Sequence, residues 1–227
     1  MSGTASRITL SFDNGPEPDV TPAVLDVLRH RGLHATFFVL GHKLADPACH
    51  AIASRAHAEG HWIGNHTWSH ARPLGACADK PGHAVSEIGR TQALLGALSH
   101  PAKLFRPFGD GGRVGPHLLS GEAADHLVAG GYTCVLWNAV PRDWEDEDGW
   151  PAIALALCGA LPHALLVLHD LPRASLRHLD RFLGLAADHG ASFVQDMPEA
   201  CVLIRQGVPT CPLTPFVTRG TAACTMH

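Results

Sequence analysis

A closed or nearly closed α/β barrel of about seven strand–helix units is the fold this sequence predicts. Three observations point to it. Short runs rich in β-branched and aromatic residues alternate with longer runs of helical period, which implies parallel strands. The alternation repeats about seven times with no linker that would divide it. The chain's 227 residues, 46% of them apolar, suffice for one sizeable core, and a single domain is expected. A doubly wound open sheet is the alternative arrangement of the same elements.

The first strand, "RITLSF", leads into a helix over "TPAVLDVLRHRG". There Thr21 is placed to cap, Pro22 fits the first helical position, Val24, Leu25 and Leu28 share a face, and Gly32 ends the helix. "ATFFVL" is apolar almost throughout and reads as a strand buried on both sides. A helix over "DPACHAIASRAHAEG", a strand over "HWIGNH" and a helix over "HAVSEIGRTQALLGAL" follow, the last with Val85, Ile88, Gln92 and Leu95 about a turn apart. The second half repeats the alternation: "KLFRPF" strand, "GPHLLSGEAADHLVAGG" helix, "YTCVLW" strand, "GWPAIALALCGAL" helix, "ALLVLH" strand, "ASLRHLDRFLGLAADHG" helix, "ASFVQ" strand. Residues 1–205 are thus expected to form the barrel. Residues 206–227 show neither period and are expected to pack on it as an extended surface segment.

Composition excludes several function classes. A formal net charge of −4 without a block of Lys or Arg lacks the electrostatic footprint of a nucleic-acid binder. "ALALCGALPHALLVL" comes nearest to a membrane span, but Pro162 and His163 interrupt it before the roughly 20 residues required. The opening "MSGTASRITLSF" has no basic segment followed by an apolar one, so a cytoplasmic protein is expected. Seven Cys, scattered without a CxxC pair, fit buried thiols in a reducing compartment; Cys201, Cys211 and Cys224 cluster late.

Ionisable residues gather where the predicted strands end: Asp13, His66 and His70, Arg106, Asp143, and His169 with Asp170. In a parallel barrel that rim carries the active site, because strand ends are rigid and the loops beyond them vary freely. The "HTWSH" run has a spacing that can present two imidazoles to a metal, yet among 17 His the pairs His30/His34 and His57/His61 share it. Context separates them: the other two pairs fall on predicted outer helix faces, whereas His66 and His70 follow a strand.

Five stretches in order, "SFDNGP", "NHTWSH", "FRPFG", "RDW" and "LLVLHD", resemble the motifs of NodB-type polysaccharide deacetylases, carbohydrate esterase family 4. The likeness covers roughly residues 7–196 and implies a distorted (β/α)7-type barrel that removes N- or O-acyl groups from sugars with a divalent metal. Carried across by position, Asp13 corresponds to the catalytic base and His169 to the general acid. Arg106 corresponds to the tether of the base and Asp143 to the carboxylate that tunes the acid. His66, His70 and Asn14 occupy the metal-ligand positions, Trp144 and Val167 the walls of the acyl pocket, and Phe108 carries the amide N–H expected to stabilise an oxyanion. The implied ion is zinc, with cobalt, nickel or manganese as alternatives.

Two departures stand out. The first motif has Asn14 where the family has a second Asp, a ligand without charge that hard divalent ions favour less; either Asn14 holds the metal weakly through its amide oxygen, or the metal takes another ligand such as Asp13, or the site works without metal or not at all. The third motif, "RPFG", is a residue short and runs into Asp110, Gly111 and Gly112. The expected partner is a small-molecule or oligosaccharide substrate, neither nucleic acid nor membrane; the oligomeric state is not legible. Two other readings fit the same barrel: a metal-independent hydrolase of cyclic amides or ureides, and a non-catalytic carbohydrate-binding relative.

Overall fold

The computed structural model describes residues 6–219. Its elements run β1 (Arg7–Asp13), α1 (Thr21–His30), β2 (Thr36–Val39), α2 (Gly41–Leu44), α3 (Pro47–Ala58), β3 (Trp62–Asn65), α4 (His83–Leu95) and β4 (Leu104–Phe105). Then come β5 (Leu119–Ser120), α5 (Gly121–Ala129), β6 (Thr133–Val135), α6 (Trp150–Gly159), β7 (His163–His169), α7 (Leu176–Asp188), β8 (Ser192–Val194), β9 (Val202–Arg205), β10 (Val208–Pro209) and β11 (Val217–Thr218). All seven expected strands are present and parallel, and the main sheet runs β10-β9-β6-β4-β3-β2-β1-β7.

Two irregularities distort the barrel. Along one edge of β1 the sheet forks: β2 pairs with Ser11–Asp13, while β8 pairs with Arg7–Thr9. The gap between β6 and β7 is spanned by a single parallel bridge, with Val167 N–H donating to the Ala139 carbonyl at 2.9 Å. One bridge therefore does the work of a full stave.

Burial explains why the strands read as unbroken apolar runs. Helices cover their outer face and the barrel interior takes the inner one. Outward residues of β1 and β7, Leu10, Phe12, Leu166 and Leu168, join Leu25, Leu28, Trp150 and Phe182 in the large outer core. Phe12 is fully buried and stacks on Phe37 at a centroid distance of 5.2 Å, so truncating it to Ala would cost about 3–5 kcal/mol. Side chains alternate across a strand, so the same register turns Ser11 and Asp13 inward on β1, and Leu165, Val167 and His169 inward on β7.

Several local expectations are corrected. Thr21 does not cap α1; it lies inside the helix, where its hydroxyl accepts Glu17 N–H and donates to Asp170. The helix expected from Gly115 begins at Gly121, because Ser120 caps it by accepting Ala123 N–H. On α4 the buried stripe is Ala84, Ile88, Thr91 and Leu95, and Val85 is 41% exposed. The fourth strand shrinks to two residues before Arg106 and Pro107. Beyond the expected set, β9 pairs antiparallel with β6, and the segment from 206 forms β10 on β9 and β11 on β5. His61 is not on a helix face but buried, its Nδ1 accepting Ala35 N–H, with burial pushing its pKa down to about 4. Cys49, Cys77, Cys134, Cys158 and Cys201 are buried and Cys211 is exposed; Cys224 lies outside the described residues. No described helix is long and apolar enough to cross a membrane.

Candidate active site at the strand ends

β1 delivers Asp13 to the rim, and the chain then turns sharply. Asn14 adopts a left-handed φ of 76°, a conformation Asn tolerates better than most residues. Gly15 follows because the Asp170 carboxylate presses against its Cα; a methyl group there would overlap it. The Gly15–Pro16 peptide is cis.

Arg106, fully buried just past β4, holds Asp13 in place. Its Nη1 donates to Asp13 Oδ1 and to Ser11 Oγ, both at 2.8 Å, and its Nη2 donates to the Leu136 carbonyl at 3.2 Å. Ser11 Oγ in turn donates to the Leu166 carbonyl at 2.9 Å, and the guanidinium lies 4.1 Å over the Phe38 ring. Three elements thus fix the fork. Removing one partner of such a buried pair leaves the other charge uncompensated, at about 3–5 kcal/mol.

β3 ends at Asn65, whose two amide ends shape the next turn. Nδ2 donates to the Ile88 carbonyl at 2.9 Å, and Oδ1 accepts Thr67 N–H at 3.0 Å, which supports the left-handed Thr67. His66 lies with Nδ1 2.8 Å from the Arg106 carbonyl, an oxygen that only accepts, so Nδ1 carries the proton. Nε2 is left with its lone pair, 3.6 Å from Asp13 Oδ2. Burial pushes the His66 pKa down against the pull of Asp13. The His70 pKa is lowered to about 2, through burial and then through the neighbouring imidazoles His66, His169 and His42. The two rings lie 4.7 Å apart, and His70 packs on Phe108 at 3.9 Å.

This cluster can accept a cation. Both imidazoles are neutral, and the Oδ1 of Asn14 is buried with no hydrogen-bond partner. Among the described residues no group of three or more His, Cys, Asp or Glu is arranged to hold a metal; the amide oxygen of Asn14 lines the same cavity as the two imidazoles. Two nitrogens and one neutral oxygen fit a borderline ion such as zinc in type but supply no negative charge.

Across the cavity stands His169, the last residue of β7. The fully buried Asp143 accepts its backbone N–H through Oδ2 at 2.8 Å, while Oδ1 lies 2.8 Å from the ring Nδ1. Burial disfavours the imidazolium, but the hydrogen bond and charge of Asp143 outweigh it, so the His169 pKa is raised. Trp144 sets its ring edge-on to His169 at 4.6 Å. Asp170, next in sequence, points away to Thr21 Oγ1 at 2.5 Å, and burial raises its pKa to about 7.

Eight of the ten predicted site residues line one cavity of about 370 Å3; Arg106 and Asp143 are buried behind Asp13 and His169. Sequence reasoning missed Trp137, Val140, Leu171 and the tether Ser11. Trp137 had a signal, since it closes "YTCVLW" on the rim side. Its Nε1 donates to the Gly112 carbonyl at 2.8 Å, and Gly109 lies so close to the indole that any side chain there would collide with it. The short glycine-rich loop is therefore laid against an aromatic wall.

Comparisons with known proteins bear on the family and the fold. The family model described as polysaccharide deacetylase matches residues 2–111. A chitooligosaccharide deacetylase of Bradyrhizobium sp. is 32% identical over 173 residues, covering 75% of this chain and 73% of that protein. A peptidoglycan-N-acetylglucosamine deacetylase of Listeria monocytogenes is 28% identical over 193 residues, 84% of this chain, which spans only 38% of that longer protein. Among solved structures, a peptidoglycan N-acetylglucosamine deacetylase superposes with a TM-score of 0.70 at 27% identity, covering 84% of this chain and 86% of that one. A family 4 acetyl xylan esterase from Clostridium thermocellum, in complex with a cobalt ion, superposes at 0.67 with 26% identity, covering 83% and 87%.

Proposed function

The chain belongs to the polysaccharide deacetylase family, and from that premise we propose that it hydrolyses the amide bond of N-acylated amino sugars, free or in oligosaccharides. The observation that carries this reading is the division of labour across one cavity: an Arg-tethered carboxylate on one side and a carboxylate-paired imidazole on the other, with two neutral imidazoles between.

Asp13 accepts a proton from water as the water oxygen bonds to the acyl carbon. Arg106 and Ser11 hold that carboxylate at a fixed angle, so no reorientation is needed during the step. His169, charged through Asp143, donates its Nδ1–H to that carboxylate and its Nε2–H to the leaving nitrogen. The carbon–nitrogen bond then breaks, giving a free amine and a carboxylic acid. The Phe108 N–H is the protein's own candidate for the oxyanion. His66, His70 and Asn14 would hold a divalent cation, zinc first, which when bound would polarise the acyl oxygen and acidify the attacking water. Trp144 and Val167 exclude water from the acyl side.

The test is incubation of the purified protein with N-acetylglucosamine and chitooligosaccharides, with and without added zinc or cobalt, reading released amine by mass spectrometry. Amine release that a chelator abolishes and metal restores is the expected result. Release that survives the chelator would favour a metal-independent amidase on the same barrel. No release, together with measurable sugar binding, would favour a non-catalytic carbohydrate binder.

A further inference from the structure

The cavity is chemically divided. Asp13, Asn14, His66 and His70 bound it on the side of β1 and β3; Trp137, Val140, Trp144, Val167 and Leu171 bound it on the side of β7 and the segments around it. Apart from the reacting cluster and His169, the polar side-chain groups of the lining are Asp110, which is ion-paired with Arg113, and the indole N–H of Trp137 and of the half-exposed Trp144 at the rim. The Trp137 N–H is already spent on the Gly112 carbonyl. The apolar wall runs from Val167, buried at 4% exposure, to Trp144 at the rim, 36% exposed.

A sugar hydroxyl pressed against Val140, Val167 or Leu171 would lose its water and find no partner. A sugar ring is therefore better placed at the mouth, where its hydroxyls stay hydrated, with the acyl group pointing inward. An acetyl methyl would cover little of the wall. The 370 Å3 cavity falls within the range of about 300–1,000 Å3 that encloses whole small ligands. We infer that the site takes N-acyl groups larger than acetyl: butyryl, a short branched acyl group, or a benzoyl ring. The inference rests on the hydrolase reading above for its chemistry, and on the wall alone for its selectivity.

A matched series tests it: N-formyl, N-acetyl, N-propionyl, N-butyryl and N-benzoyl glucosamine, compared by kcat/KM on the metal-loaded protein. The expected rise is about fourfold for each methylene added from acetyl to butyryl, which is ~0.8 kcal/mol converted at room temperature. Val140→Phe should erase the butyryl-to-acetyl preference by filling the wall; Leu171→Phe, on a separate loop, serves the same purpose should the first variant not fold. In parallel, quenching of tryptophan fluorescence in the His169→Ala protein compares binding of the butyryl and acetyl sugars without turnover. Acetyl hydrolysed fastest, with butyryl tenfold slower or worse, overturns the inference and leaves the hydrolase reading intact. No acyl sugar hydrolysed, but butyryl bound more tightly than acetyl, sinks the hydrolase reading and supports the selective wall. Neither hydrolysis nor preferential binding overturns both.

Discussion

His66, just past β3, and His169, at the end of β7, are the same residue type in nearly the same setting, and they end in opposite states. Both are buried, and both present Nδ1 to an oxygen 2.8 Å away. For His66 that oxygen is the neutral carbonyl of Arg106, burial prevails, and the pKa falls. For His169 it belongs to the carboxylate of Asp143, which overcomes burial, and the pKa rises. A metal ligand needs a lone pair, whereas a general acid needs a proton. The charge on the oxygen behind the ring decides which of the two is present.

The largest effect should come from erasing that difference. Asp143→Asn keeps the shape of the partner and removes its charge, so His169 should come to resemble His66. kcat is expected to fall by about 10^2–10^4-fold, the usual contribution of a general acid. The sign of the pH effect is fixed: the acid form is needed, so activity holds below the His169 pKa and disappears as pH rises through it. Lowering that pKa moves the alkaline limb of kcat to lower pH, which a pH–rate profile of both proteins reads directly.

A smaller change sharpens the other side of the comparison. Asn14→Asp adds a negative charge beside His66 and His70, and zinc should bind on the order of tenfold more tightly or better. Isothermal titration of metal-free protein measures this; equal affinity in the two proteins would remove residue 14 from the ligand set. Smaller again is Ser11→Ala, which takes one acceptor from Arg106 and frees the fork that aims Asp13. kcat should fall about tenfold, roughly the value of one hydrogen bond to a charged group, with KM little changed. Ser11→Thr should restore it, which a loss through general destabilisation would not explain.

A separate effect, on stability and not on turnover, concerns Asp170, next to the acid but turned away from it. Its carboxyl titrates near 7 when folded, against about 3.9 unfolded, so the folded state keeps a proton that the unfolded state releases. The contribution to stability is therefore present below about pH 4 and lost as pH rises toward 7. The difference in Tm between the native protein and Asp170→Asn should shrink over that window; a constant difference would contradict the buried-acid description.

Much of this was legible in the chain. Each of the seven parallel strands announced itself by an apolar or β-branched run, and the polar residues closing those runs are the ones that meet at the cavity. What misled were local signals with a non-local override. Gly115 and Pro116 resemble a helix start, but Ser120 has the hydroxyl that caps one. Val85 lies in a plausible stripe, yet α4 presents a neighbouring face to the sheet. Trp137 could be seen ending a strand, but not that the glycine loop from 109 to 112 would fold onto it.

The sequence by itself determined the seven parallel strands and the polar residues that close several of them, because an apolar or β-branched run is a local property. The two-residue alternation of a strand then puts Ser11 with Asp13, and Val167 with His169, on one face. Only the tertiary structure decided the charge state of each imidazole. His66 meets an oxygen 40 residues away and His169 one 26 residues away, and both are stripped of water there. Desolvation and a distant partner set a pKa, and neither exists until the barrel closes.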